Sequence, residues 1–488
     1  MRSPLVIGAV AGLALGALAA SCSFTTATGF TECTVDTDCA ASSMCSKGYC
    51  LPLPAGCQRA EGSFDKADRI VLAAIATLTT PDGGAIDRET YRLNALKLAL
   101  SEANKFGGLK NSPYALVACD SAADDTSIQA VTSWLVQNLS VPAIVVSRSG
   151  PLRAASAEPH RVAAGTFLIS ANATAASLVG TFARDGNVWR VAPPDTLQAK
   201  VLRQLVTQTL LGTTSTDAGT VDAGGVDAGP FDAGAPLTVA IVNESTDYGD
   251  GLQLALNDEL TQAGFVVKTT PYDVSPTPLT ASQAGTAMGT VAMNAPAATI
   301  VIGFPADVVL LLTAAKAYPV LQVANGHHWF FTDSAKDPAI LTPDTVGQLQ
   351  GLTGTTPAQG VGTAFRTFRD SFSARYGVDP GAYSFTAHTY DAMWLTLAST
   401  AWAQQGGSIS GPTMRQGMLN VSASGTPIPL LGARWNDVSA AMLAGTPINA
   451  DGSSGELQFD PDAGAPSGPY EVWTVTDAGI QTVRYATP

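Results

Sequence analysis

Two successive series of short apolar runs alternating with amphipathic stretches constrain this chain more than any other feature. Residues 70–78 are nearly all apolar, as a strand buried on both faces requires. A Pro81-Asp82-Gly83-Gly84 turn follows, then a helix over 87–104 that Asp87 can cap, with Leu93, Leu96, Leu100 and Ala103 on one face. Gly107-Gly108 ends that helix. The spacing then predicts strand 114–119, helix 128–136 and strands 143–146 and 167–170. The second series reads as strand 237–243, helix 251–263, strands 265–269 and 299–303, helix 307–317 and strand 329–332. Helices over 364–376 and 387–403 and short strands at 456–459 and 470–475 complete the chain. Such alternation implies an α/β protein with mainly parallel sheets.

The N-terminal segment and the cysteines lead us to expect this fold outside the cytoplasm. Arg2, an apolar run from Leu5 to Leu18 and the small residues Ala19-Ala20-Ser21 before Cys22 read as an export signal over 1–21. The run is too short for a bilayer-spanning helix, which needs about 20 residues. A cysteine directly after small residues resembles the lipobox of bacterial lipoproteins, which implies acylation of Cys22 and a membrane anchor. Leu18 stands four residues before Cys22, one earlier than the favoured position. Cys33, Cys39, Cys45, Cys50 and Cys57 crowd the next segment, and Cys119 follows at a strand end. In an oxidising compartment they read as a disulfide framework, because their gaps of five, five, four and six residues lack the paired spacing of a zinc site. Six thiols suit two bridges within 33–50 and a Cys57–Cys119 bridge, with the pairing left open. Residues 22–65 are therefore expected to form a lipidated tether with a small stapled segment, Asp36 and Asp38 exposed between its cysteines.

Much chemistry is excluded. A formal charge of −14 argues against nucleic-acid binding and against a polybasic membrane patch. No phosphate-loop, dinucleotide, zinc-helix or nucleophile-elbow motif occurs. Gly249-Asp250-Gly251 lacks the third glycine of a dinucleotide fingerprint. His327-His328 would point to opposite sides of a strand, which is poor geometry for one metal. The Asp-Ala-Gly repeats at Asp217, Asp222, Asp227 and Asp232 match no calcium motif, and 212–236 reads as a disordered surface insert. No enzyme activity, cofactor or metal is expected.

Several segments, in order, carry a likeness. They are Glu102-Ala103-Asn104-Lys105-Phe106-Gly107-Gly108, Leu168-Ile169-Ser170-Ala171-Asn172-Ala173-Thr174, and Trp189-Arg190-Val191-Ala192-Pro193-Pro194-Asp195. Asp247-Tyr248-Gly249-Asp250-Gly251, Tyr390-Asp391-Ala392 and Gly455-Glu456-Leu457-Gln458-Phe459-Asp460 follow. Each is weak alone; together, over about 70–475, they resemble the type I periplasmic binding proteins, specifically the leucine/isoleucine/valine-binding family that serves ABC importers. The resemblance implies two Rossmann-like lobes joined by three hinge crossings, with the ligand in the cleft between them. Lobe one would take 66–193 and 353–454, and lobe two 194–352 and 455–488.

A cleft that strips water from an amino acid must supply hydroxyl and N–H donors for its carboxylate and a fixed acid for its ammonium. The resemblance puts Thr174, with the backbone of Asn172 and Ala173, and either Ser147 or Ser149 on the carboxylate. It puts Tyr248 on the second lobe's face, Phe304 near a family tyrosine whose hydroxyl it lacks, and Asp333 on the ammonium. Thr332-Asp333-Ser334 stands where the family has a glutamate flanked by glycine, so the ligand is an amino acid or a related carboxylate. The implied partner is an ABC permease; the competing role is a lipid-anchored sensor or scaffold of the cell envelope on the same fold.

Overall fold

The computed structural model describes residues 31–80, 82–121, 124–178, 185–212, 236–274, 278–460 and 462–488. The export signal, Cys22 and all but the ends of the 212–236 insert lie outside the described residues. The continuous apolar run becomes strand Ile70–Ala76, flanked by Tyr114–Asp120 and Ala143–Val146, both parallel to it. Phe167–Ser170 and Val188–Arg190 extend the sheet in parallel, and Cys57–Gly62 pairs antiparallel at the other edge to make six strands. A second sheet has seven strands, in the order Val266–Tyr272, Thr238–Glu244, Ala298–Ile302, His328–Phe331, Thr353–Pro357, Tyr470–Thr476 and Gly479–Ala486. Its first five pair in parallel, and its last two are joined on by antiparallel ladders.

The sheets correct the expected lobe limits. Thr353–Pro357 belongs to the second sheet, held there by an antiparallel ladder to Tyr470–Thr476, so the return crossing follows Pro357. The segment expected as one strand over 456–459 is two pieces, Gly455–Glu456 and Phe459–Asp460, in different small sheets. Leu457 is buried in the first lobe's core, so the last crossing comes after residue 466. Asp87 is the first residue of helix Asp87–Lys105 rather than its cap. Helices Asp195–Leu211, Ala281–Met293, Gly411–Met418 and Trp435–Leu443 join those expected. Thr386–Ala403 is buried almost all round because Asp87–Lys105, Gly411–Met418 and Trp435–Leu443 enclose it.

The cysteine-rich segment is docked rather than free. Its bridges are Cys33–Cys45, Cys39–Cys50 and Cys57–Cys119. Asp36, expected to be exposed, is fully buried: it pairs with Arg69 and accepts the Cys45 N–H at 2.7 Å. Met44 enters the core beneath the first sheet, and Arg59 binds the Ser43 and Ala40 carbonyls. The segment from about residue 32 is thus part of the first lobe, because one buried ion pair and one buried methionine anchor it.

Candidate functional site

The loops at the C-terminal ends of the parallel strands meet between the lobes, where open α/β sheets place their ligands. From the first lobe, the start of helix Asp87–Lys105 contributes Arg88, Glu89 and Arg92. Glu89 Oε1 lies 2.7 Å from Arg92 Nη1, 3.3 Å from Arg148 Nε and 3.7 Å from Arg88 Nε, and Oε2 accepts from Ser147 at 2.9 Å. Burial alone would raise the Glu89 pKa, but Arg92, Arg148, Arg88 and the Ser147 hydroxyl outweigh it and bring it to about 2. Three guanidiniums therefore face one carboxylate, with Asp337 3.8 Å from Arg88 at the margin.

Arg148 has φ +66° and ψ 162°, a conformation that side chains rarely adopt and that costs about 1–3 kcal/mol. Asn172 holds it there, accepting the Arg148 N–H on Oδ1 at 2.9 Å while its amide donates to Ser147 at 3.3 Å. The strain aims a guanidinium into the cleft. There the guanidiniums of Arg148 (4.4 Å) and Arg88 (4.6 Å) both lie against the Phe304 ring of the second lobe. The Tyr248 hydroxyl lies 2.7 Å from Asp333 Oδ1 and 2.8 Å from Thr332 Oγ1. Arg153 spans the mouth, 2.8 Å from Asp247 of the opposite lobe. With the lobes so closed, about 30 Å³ remains between them, room for about one water.

Five of the expected residues, Ser149, Asn172, Tyr248, Phe304 and Asp333, line this one room. Ser147 joins it through Glu89 and Asn172. Ser149 accepts the Ala175 N–H on its hydroxyl oxygen at 3.1 Å. Ala173 and Thr174 sit behind the room; the Thr174 carbonyl takes the Asp195 N–H at 2.9 Å. Asp333 already accepts from Tyr248, and burial raises its pKa. The arginines, Glu89, Glu244, Asp307 and Phe385, itself at φ +65° and 5.4 Å from the Arg92 guanidinium, are residues that the sequence reading missed. The signal was Arg88 and Arg92 in the first turns of a helix, where the dipole disfavours cations.

The second lobe answers with acids. Burial pushes Glu244 up to about 7 and Asp307 up to about 6, although Arg88 and Arg148 across the cleft pull both down. A carboxyl with a raised folded pKa stabilises fully below its unfolded pKa near 4.5, and that contribution is lost as pH rises through about 7. Glu244→Gln is therefore expected to stabilise the empty protein by about 2 kcal/mol at pH 8, less than the full shift because opening the lobes rehydrates the site. The gain should vanish below pH 4.5 in denaturant titrations; a gain independent of pH would assign it to packing instead.

The sequence model of the periplasmic binding protein family matches residues 70–479. A leucine-binding protein from Thermotoga maritima superposes with a TM-score of 0.64 at 16% identity, covering 86% of this chain and 99% of its own. A solute-binding protein of an ABC transporter from Rhodopseudomonas palustris, in complex with 3,4-dihydroxybenzoic acid, gives 0.63 at 12%, covering 86% and 98%. A fatty-acid ABC transporter substrate-binding protein from Thermomonospora curvata gives 0.65 at 16%, covering 89% and 96%. No curated protein sequence matches the chain.

Proposed function

We propose that this chain, which belongs to the periplasmic binding protein family, captures a small carboxylate-bearing solute between its lobes, an amino acid foremost, for delivery to an ABC importer. As a member of that family it acts outside the cytoplasm and binds rather than catalyses. The observation that carries the ligand class is three arginines around one glutamate in the first lobe's wall. An anion supplies the missing counter-charge and takes paired N–H donors. Glu244, Asp307 and Asp333 on the facing wall suit an ammonium at the other end of a zwitterion. Acylation of Cys22 would keep the protein at a membrane; none of its described helices is long and apolar enough to cross one.

Phe304 and its two arginines fill much of the room, which favours a second reading, a sensor or scaffold of the cell envelope not coupled to transport, its cleft held closed by its own side chains. Calorimetry of the full-length protein with free amino acids, benzoates and short fatty acids separates the two. A ligand at 100 times its dissociation constant also adds about 2.7 kcal/mol to stability. Arg148→Met is expected to weaken every carboxylate about 100-fold, and Asp333→Asn to weaken amino acids while sparing benzoates. No binding by any of them would overturn solute capture and leave the sensor or scaffold.

A further inference from the structure

A larger hollow lies at the hinge. It measures about 590 Å³, within the range of small-molecule sites. All three chain crossings line it: Val191 and Pro193 from the first, residues 357–362 from the second and 466–469 from the third. Tyr485 reaches it from the last strand of the second sheet. Any change in lobe angle must reshape this hollow, because the segments that bend are its walls.

Its polar wall carries two carboxylates. Asp451 and Glu456 face each other across an antiparallel pair, an arrangement of like charges that costs stability, and neither has an ion-pair partner among the described residues. The turn between them is clamped: Asp391 accepts from Ser453 N at 2.8 Å and from Ser454 N at 2.7 Å. The second crossing is docked on the same turn through Gly360 N to Ser453 O at 2.9 Å; a Cβ at Gly360 would meet that carbonyl at 2.8 Å. His388 is 2% exposed and its Nδ1 has no hydrogen-bond partner; Gln359 is 5% exposed and its Oε1 has none either. Both residues line the hollow. Burial, then Arg92 and Lys336, hold His388 down to about 3, so its ring is neutral and can accept. Buried polar atoms left without partners call for an explanation.

We propose that the hinge hollow is a second small-molecule site, taking an organic cation whose N–H donors are held by Asp451 and Glu456, with the neutral ring of His388 and the Gln359 side chain in its wall. Its occupant would touch all three crossings and fix the angle between the lobes. Helix Thr386–Ala403 links it to the cleft, since it carries His388 at the hinge and is preceded by Phe385 at the cleft.

Agmatine, which carries a guanidinium and an ammonium, is the probe. Calorimetry on the full-length protein is expected to show saturable binding that weakens at least tenfold in Asp451→Asn/Glu456→Gln. Arg148→Met, a cleft variant, should leave it within twofold. Thermal melting checks that the double variant folds; Glu456→Gln alone, at an exposed position, serves if it does not and should still weaken binding severalfold. Absence of saturable binding overturns the proposal, as does binding that survives the hinge variants. Binding abolished by Arg148→Met would place the cation in the cleft and overturn it too.

Discussion

Glu89→Gln is expected to cost about 3–5 kcal/mol of unfolding free energy at pH 7. The replacement keeps the shape and one acceptor but removes the one carboxylate that Arg88, Arg92 and Arg148 share among the described residues. Glu89 is fully buried, so no solvent screens the change. Its pKa is held at about 2, below the ordinary 4.5. A carboxylate lowered in this way contributes stability above pH 4.5 and loses it as pH falls through about 2. The gap between wild type and variant should therefore be full at pH 7 and close progressively below pH 4.5. Guanidinium unfolding across that range measures it. The same variant should bind a small carboxylate more tightly, since three uncompensated guanidiniums then await an anion. Unchanged stability at pH 7 would mean that water, rather than Glu89, compensates the arginines.

Where burial dictates pattern, the fold was legible. Strands Ile70–Ala76, Tyr114–Asp120 and Ala298–Ile302 are covered on both faces, so they read as unbroken apolar runs. Helix Ala281–Met293 was missed because its core face is small: Ala284, Ala287, Met288 and Val291 keep helical spacing with little bulk. Its Thr280–Gln283 capping box was the readable signal. The crossing at Pro357 could not be read, since it depends on Thr353–Pro357 pairing with a strand more than a hundred residues later. At the site, Tyr248, Phe304 and Asp333, which the family likeness placed at strand ends, come together in one room. Arg88 and Arg92 escaped because a cation on a helix resembles a solvated face until distant segments cover it, Phe304 for Arg88 and Ser384 with Phe385 for Arg92. Asp36 escaped for the mirror reason: an acid between cysteines looks exposed, and only Arg69, far along the chain, makes it buried.

Removing the third bridge, as Cys57→Ala/Cys119→Ala, is expected to cost about 4 kcal/mol, the loop-closure value for a separation of 62 residues. The bridges Cys33–Cys45 and Cys39–Cys50 close loops of 12 and 11 and are worth about 3 kcal/mol each on the same scale. The third differs in what it joins. Cys57 and Cys119 sit opposite each other in the antiparallel pair that fixes the edge strand Cys57–Gly62 to Tyr114–Asp120. The strand is short and lies at an edge, so pairing on one side is all that its ladder supplies. Without the bridge, amides 57–62 should exchange faster with solvent, and the stapled segment ahead of them should loosen with them. The cleft lies at the strands' C-terminal ends and draws nothing from 31–62. Carboxylate affinity should accordingly stay within about twofold while stability falls. If affinity drops as steeply as stability, the docked segment helps to set the closed state of the lobes as well as anchoring one edge of the first.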